Sequence, residues 1–264
     1  MSKLGFVCGV FLVCWVLSAA GHQDAGIATT DLAAILAQLP PSAPVVFVSR
    51  APQLVKAQDA MVVVTGCYAD GSERTRSAKA YIFLRETVSW TEVFSTDEDG
   101  RLAEYGAPAS WEISFERLDF ADVDGDELNE VVVYWNSAPP WAVSLIQYDR
   151  IINVIDYDAA TGAFSEITGD QFVYNEFMDD AFLMDVDSDE QLEIVFLQHT
   201  KLGECVICQR PYRLSVWEVR SGKLVPDLHW NDGKPLEIEG EYYLFGCGRV
   251  ELVSLVLQAA GCGD

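Results

Sequence analysis

Two stretches of the chain carry four acidic side chains at one spacing. Residues 118 to 135 read Leu-Asp-Phe-Ala-Asp-Val-Asp-Gly-Asp-Glu-Leu-Asn-Glu-Val-Val-Val-Tyr-Trp, and residues 181 to 197 read Ala-Phe-Leu-Met-Asp-Val-Asp-Ser-Asp-Glu-Gln-Leu-Glu-Ile-Val-Phe-Leu. Both contain D-x-D-x-D-x-x-x-E. In a tight loop, side chains at positions 1, 3 and 5 converge on one point: Asp122, Asp124 and Asp126 in the first copy, Asp185, Asp187 and Asp189 in the second. A backbone carbonyl at position 7 (Leu128, Gln191) adds an oxygen, and the acid at position 9 (Glu130, Glu193) closes the shell. Such an oxygen-rich set suits calcium better than magnesium, which keeps its waters and demands strict octahedral geometry. Two Ca2+ sites are therefore predicted. An EF-hand is excluded, because it needs Gly at position 6 and Glu at position 12, where these loops have Glu127 and Val133, and Glu190 and Phe196.

The spacing also says what must hold the loops. A four-acid match of this kind is expected roughly 0.15 times by chance in a chain of this length and acidity, so two copies indicate duplication of a structural unit. Asp122 and Asp185, like Glu130 and Glu193, are offset by 63 residues. Each ninth-position acid leads directly into a β-branched, apolar run, which reads as a buried strand. Degraded copies extend the series. Glu251 aligns with Glu193, but the ligand positions there are Tyr243, Phe245 and Cys247, and Asp59-Ala-Met-Val-Val-Val-Thr65 resembles the strand without its acids. The strand starts fall near 59, 130, 193 and 251.

A second pattern, strand-turn-strand, follows the first three starts at Trp90 to Leu102, Val154 to Phe164 and Leu214 to Leu224, with Gly100, Gly162 and Gly222 at the turns. Each unit is thus a small antiparallel sheet of about four strands. The fold predicted is all-β, a propeller-like array of about four such repeats. The strand-like segment Pro44 to Ser49 is a candidate to complete the last unit and close a ring. Thr30 to Leu39 has a candidate N-cap, i/i+3/i+4 apolar spacing and a Pro40-Pro41 stop, which predicts one short N-terminal helix.

Asp122-Val-Asp-Gly-Asp-Glu-Leu-Asn-Glu130 and Asp185-Val-Asp-Ser-Asp-Glu-Gln-Leu-Glu193 resemble the calcium loops of FG-GAP repeats, as in integrin-α-type β-propellers, and of the related VCBS-repeat proteins. The resemblance implies a β-propeller with calcium held in the hairpin loops of some blades, and roles in cell adhesion, carbohydrate association or protein assembly. This chain departs from that pattern in placing Glu127 and Glu190 where the family has Gly, and Glu where it has the final Asp.

Composition bounds the rest. The 264 residues are 50% hydrophobic, which excludes a disordered chain, and their formal charge of −24 repels phosphate backbones and anionic lipid. No nucleic-acid partner is expected. Residues 1–20, a single Lys3 before the apolar run Leu4 to Leu17 and then Ser18-Ala19-Ala20, read as a signal peptide cleaved after Ala20. The sequence divides into that peptide, a helix and linker over 21–43, and the repeat domain over 44–264. A secreted or periplasmic location is expected, with no membrane span in the mature chain.

Export makes disulfides plausible. Cys67, Cys205, Cys208, Cys247 and Cys262 are odd in number, and sequence leaves their pairing open; Cys205 and Cys208 with His199 are an alternative zinc set short of a fourth ligand. Trp111, Trp135, Trp141, Trp217 and Trp230 are candidates either for core or for sugar stacking. No G-x-S-x-G, HExxH or phosphate-binding glycine loop is present, and His22, His199 and His229 form no cluster. The function expected is a binding or scaffold module for a protein or glycan at the cell surface rather than an enzyme. The alternative is a carbohydrate-active enzyme or accessory domain.

Overall fold

The structure, a computed structural model, describes residues 27–41, 43–66, 68–70, 73–75, 78–96, 112–138, 149–168, 178–186, 191–199 and 212–226. Among these it is mostly β, with three four-stranded antiparallel sheets and one short helix. The first sheet contains β1 (Val45–Ala51), β2 (Ala60–Thr65), β5 (Lys79–Glu86) and β6 (Ser89–Ser95), in the order β1-β2-β5-β6. A small hairpin, β3 (Tyr68–Asp70) and β4 (Glu73–Thr75), lies in the sequence between β2 and β5. The middle sheet is β7 (Glu112–Ala121), β8 (Glu130–Ala138), β9 (Asp149–Asp158) and β10 (Ala163–Glu166), each paired with its sequence neighbour. The third repeats that meander with β11 (Met178–Met184), β12 (Glu193–His199), β13 (Tyr212–Val219) and β14 (Leu224–Pro226).

Strand periodicity explains how the sheets pack. Successive side chains of a strand point to opposite faces, so β8, apolar at every position from Val131 to Trp135, buries both. Val131, Val133 and Trp135 pack with Val62, Val64, Ala80 and Ile82 of the first sheet. Val132 and Tyr134 pack with Ala181, Ile194 and Phe196 of the third. The middle sheet is therefore sandwiched, and the continuous apolar run is the sequence signature of burial on two faces.

The first sheet's other face, Met61, Val63, Tyr81 and Phe83, is covered by α1 (Thr29–Leu36), whose Leu32 and Ile35 are buried there with Leu39. Arg85 holds the helix to the sheet through Asp31 at 3.6 Å, and Gln38 Nε2 donates to the Trp90 carbonyl at 2.8 Å. Two buried threonines close their sheets in the same way. The hydroxyl of Thr96 accepts from the Ala80 amide at 3.0 Å, and that of Thr168 accepts from the Val154 amide at 2.6 Å.

Three expectations are corrected. The helix N-cap is Ala28, not Thr30, and no side chain caps it, because the chain turns helical two residues earlier than a Thr30 cap would have it. Residues 45–51 form β1 of the first sheet, so they complete that sheet and not the last repeat. Trp90 to Ser95, expected to open the first hairpin of the strand-turn-strand pattern, belong to the fourth strand, β6, which follows β5 through a turn at Thr87 and Val88. Gly162 and Gly222 do turn their hairpins, with φ of 71° and 68°. Gly100, the copy around Glu251, residues 1–26 and all five cysteines lie outside the described residues. Trp135 is core, its Nε1 donating to Asn153 Oδ1 at 2.6 Å, and Trp217 is partly buried against the core between the middle and third sheets. Trp111, Trp141 and Trp230 lie outside the described residues.

Candidate metal centre

The first acidic loop joins β7 to β8, across the pair Ala121↔Glu130. Its conformation is written in its own hydrogen bonds. Asp122 accepts the amides of Gly125 at 2.7 Å and Glu127 at 2.9 Å, Asp124 accepts that of Asp126 at 3.1 Å, and Asp126 accepts that of Leu128 at 2.8 Å. Short acids are suited to this, because their oxygens reach the backbone amides of the turn ahead of them, here two to five residues on. Gly125 sits at φ 81°, where a glycine is unstrained, and Glu127 at φ 72°, where a side chain is not.

These bonds leave oxygens of Asp122, Asp124 and Glu130 within 4.8 Å of one another. Asp126 is exposed and stands outside that cluster; Leu128 is half-buried. Glu130 is 1% exposed. Its Oε2 accepts the Val123 amide at 2.6 Å, while Oε1 is buried and accepts nothing. A buried carboxylate oxygen without a partner is costly, and here it belongs to a group converging with two other acids. Burial pushes the Glu130 carboxyl up to about 8 against the pull of the Val123 amide, and the charges of Asp124, Asp156 and Asp122 add to the rise. Burial and then Asp126 and Asp122 raise Asp124 as well. A divalent cation would complete Oε1 and neutralise this repulsion, so the donor set fits a hard, oxygen-seeking metal.

The second loop is built on the same frame. Met184 pairs with Glu193 as Ala121 pairs with Glu130, and Glu193 Oε2 accepts the Val186 amide at 2.8 Å. Glu193 is 5% exposed, and Asp185 is half-buried. Asp187 and Asp189 lie outside the described residues. Gln191, expected to offer its carbonyl, also reaches the first loop: its side chain packs where a Cβ on Gly125 would stand, 3.5 Å from Gln191 Cδ.

The first sheet has a loop of the same length with no acid at the ligand positions. Ala51 pairs with Ala60 across residues 52–59, a span equal to residues 122–129. Ala57 has the positive φ of Glu127, 59° against 72°. In the ligand positions stand Pro52, Leu54, Lys56 and Ala60, and Leu54 is fully buried. An apolar plug and a lysine thus occupy the places of Asp124 and Asp126. The loops touch in series: Asn129 donates its amide to the Gln53 carbonyl at 3.0 Å and its Nδ2 to the Pro52 carbonyl at 2.7 Å.

Sequence reasoning missed two acids on the third strands. The ladders end at Val131↔Ile155 and Ile194↔Trp217, and the next residues along them are Glu130 with Asp156, whose charge acts on Glu130, and Glu193 with Glu218. Burial pushes Asp156 up to about 6, and Asp124 and Asp126 raise it further. The signal was present: Val154-Ile-Asp156 and Val216-Trp-Glu218 are offset by 62 residues, and the corresponding residue opposite Ala60 is Leu84. No family model matches this chain, and no curated protein matches it.

Proposed function

We propose that the protein is an exported, calcium-stabilised repeat protein whose sheets form a propeller-like array, and that it serves as a binding or scaffold module for a protein or glycan at the cell surface. One observation carries the reading. Two successive sheets start their second strand with a buried glutamate that accepts the amide seven residues before it, and in the fully described copy that glutamate meets two aspartates with one oxygen left unpartnered. A cation in each loop turns a repulsive cluster into a folding determinant. The sandwiched middle sheet supports a repeat array, since each unit buries its faces against its neighbours. Calcium then fixes the hairpin loops along one end of that array, where a ligand surface would lie. The test is thermal unfolding of the purified protein with millimolar calcium, with magnesium and with chelator, beside Asp124→Ala and Asp187→Ala. A calcium-specific rise in midpoint, reduced by each substitution, is expected. An unchanged midpoint would overturn the reading.

A further inference from the structure

We propose that Asp156 is a fifth carboxylate of the first cation site, acting on the ion from the neighbouring strand, and that it makes this site the stronger of the two. The inference rests on the calcium reading above and goes beyond the loop spacing that suggested it.

The geometry is that of a cross-strand pair. Side chains directly opposite each other in an antiparallel ladder lie on one face, so Asp156 stands beside Glu130, whose Oε1 is buried and unpartnered. Asp156 is close enough to Asp124 and Asp126 for their charges to act on it. It stands outside the 4.8 Å cluster of Asp122, Asp124 and Glu130. Calcium sites mix direct and water-borne oxygens, so the role assigned to Asp156 is to act on the ion through a bound water rather than as a direct ligand. Among the described residues no ion pair joins Asp156. Its neighbour Asp158 lies on the exposed turn, accepting the Ala160 amide at 2.8 Å and the Thr161 hydroxyl at 2.9 Å, and its charge adds only the smallest of the influences on Asp156.

The second site differs at this position. Glu218 faces Glu193, but Arg220 stands where the first repeat has Asp158, and Arg220 Nη2 pairs with Glu218 Oε1. Glu218 Oε1, like Glu130 Oε1, is buried and accepts no hydrogen bond, but the positive charge of the largely exposed Arg220 stands beside it, whereas no cation pairs with Asp156 among the described residues. In the first sheet, whose loop has lost its acids, the equivalent residue is Leu84. Acidic loops thus go with an acid on the third strand, and the apolar loop goes with an apolar residue.

Calcium affinity rises with the number of charged ligands, so the test is a calcium titration by calorimetry on protein carrying one site at a time. In an Asp187→Asn background, which leaves the first site, Asp156→Asn is expected to weaken calcium about tenfold, while Asp158→Asn, on the exposed turn, leaves it within about twofold. In an Asp124→Asn background, which leaves the second site, Arg220→Ala is expected to tighten calcium. Unfolding in chelator separates a purely structural role: Asp156→Asn removes repulsion and should raise that midpoint even as affinity falls, and Asp156→Ser repeats the test if the amide misfolds. Affinity of the first site unchanged by both substitutions would overturn this inference alone. A parent protein that binds no calcium would sink the calcium reading with it.

Discussion

Glu130 is where folding and charge conflict most. Its carboxyl is raised from 4.5 to about 8 without a cation, chiefly by burial. The folded state therefore holds a proton that the unfolded chain releases above pH 4.5, and stability is lost as pH rises through the interval from 4.5 to 8. Asp156, raised from 3.8 to about 6, acts in the same direction. Calcium competes for the ionised form. The gap in thermal midpoint between calcium and chelator is thus expected to widen from pH 5 to pH 8, and Glu130→Gln is expected to raise the chelator midpoint at pH 8 while removing the first loop's share of the calcium response. Equal gaps at the two pH values would contradict this account. Glu127, held at φ 72°, makes a second test. Glu127→Gly removes the left-handed penalty of about 1 kcal/mol, partly offset by the freedom glycine gains when unfolded, so a small rise in the urea midpoint is expected.

At the scale of elements, the loops behave as one contiguous edge. Asn129 ties the metal loop to the loop of the first sheet by two hydrogen bonds, of which the side chain supplies one. Asn129→Ala is expected to cost about 1 kcal/mol in urea unfolding and to weaken calcium at the first loop, because the loop then loses its anchor; a loss of stability with calcium affinity intact would show that the tie serves the fold only. The acidic loops and the buried runs behind them were legible in the sequence because both signals are local, a spacing of acids and an unbroken apolar stretch from Val131 to Trp135. The first sheet's loop was not, since Pro52, Leu54 and Lys56 share the length of the first acidic loop and one of its left-handed positions but none of its chemistry. Asp156 was missed for a different reason. Its relation to Glu130 runs across a ladder, and the 62-residue offset that reveals it differs by one from the offset of the loops.

Across the three described sheets, the pattern of buried faces decides what covers each one. The middle sheet buries both faces against sheets, whereas the first sheet buries one against a sheet and the other against α1. A repeat array exposes its last apolar face unless something covers it, and the helix does so with Leu32 and Ile35 over Met61, Val63, Tyr81 and Phe83. The helix is only eight residues long and has no side-chain cap, so it is not stable alone and is held by this packing. Ile35, fully buried, is the position to test. Ile35→Ala is expected to cost 2–5 kcal/mol, on the order of other buried Ile→Ala changes, and Ile35→Asp to free the helix and bare the sheet. The bared face is apolar and continuous, which favours association between copies. Sedimentation velocity should then show concentration-dependent dimers for Ile35→Asp and none for the parent, with any calcium affinity of the parent retained, because the helix covers the face turned away from the sheets with the acidic loops. A variant that stays at the parent's sedimentation coefficient and stability would mean that α1 rests on the sheet without capping it.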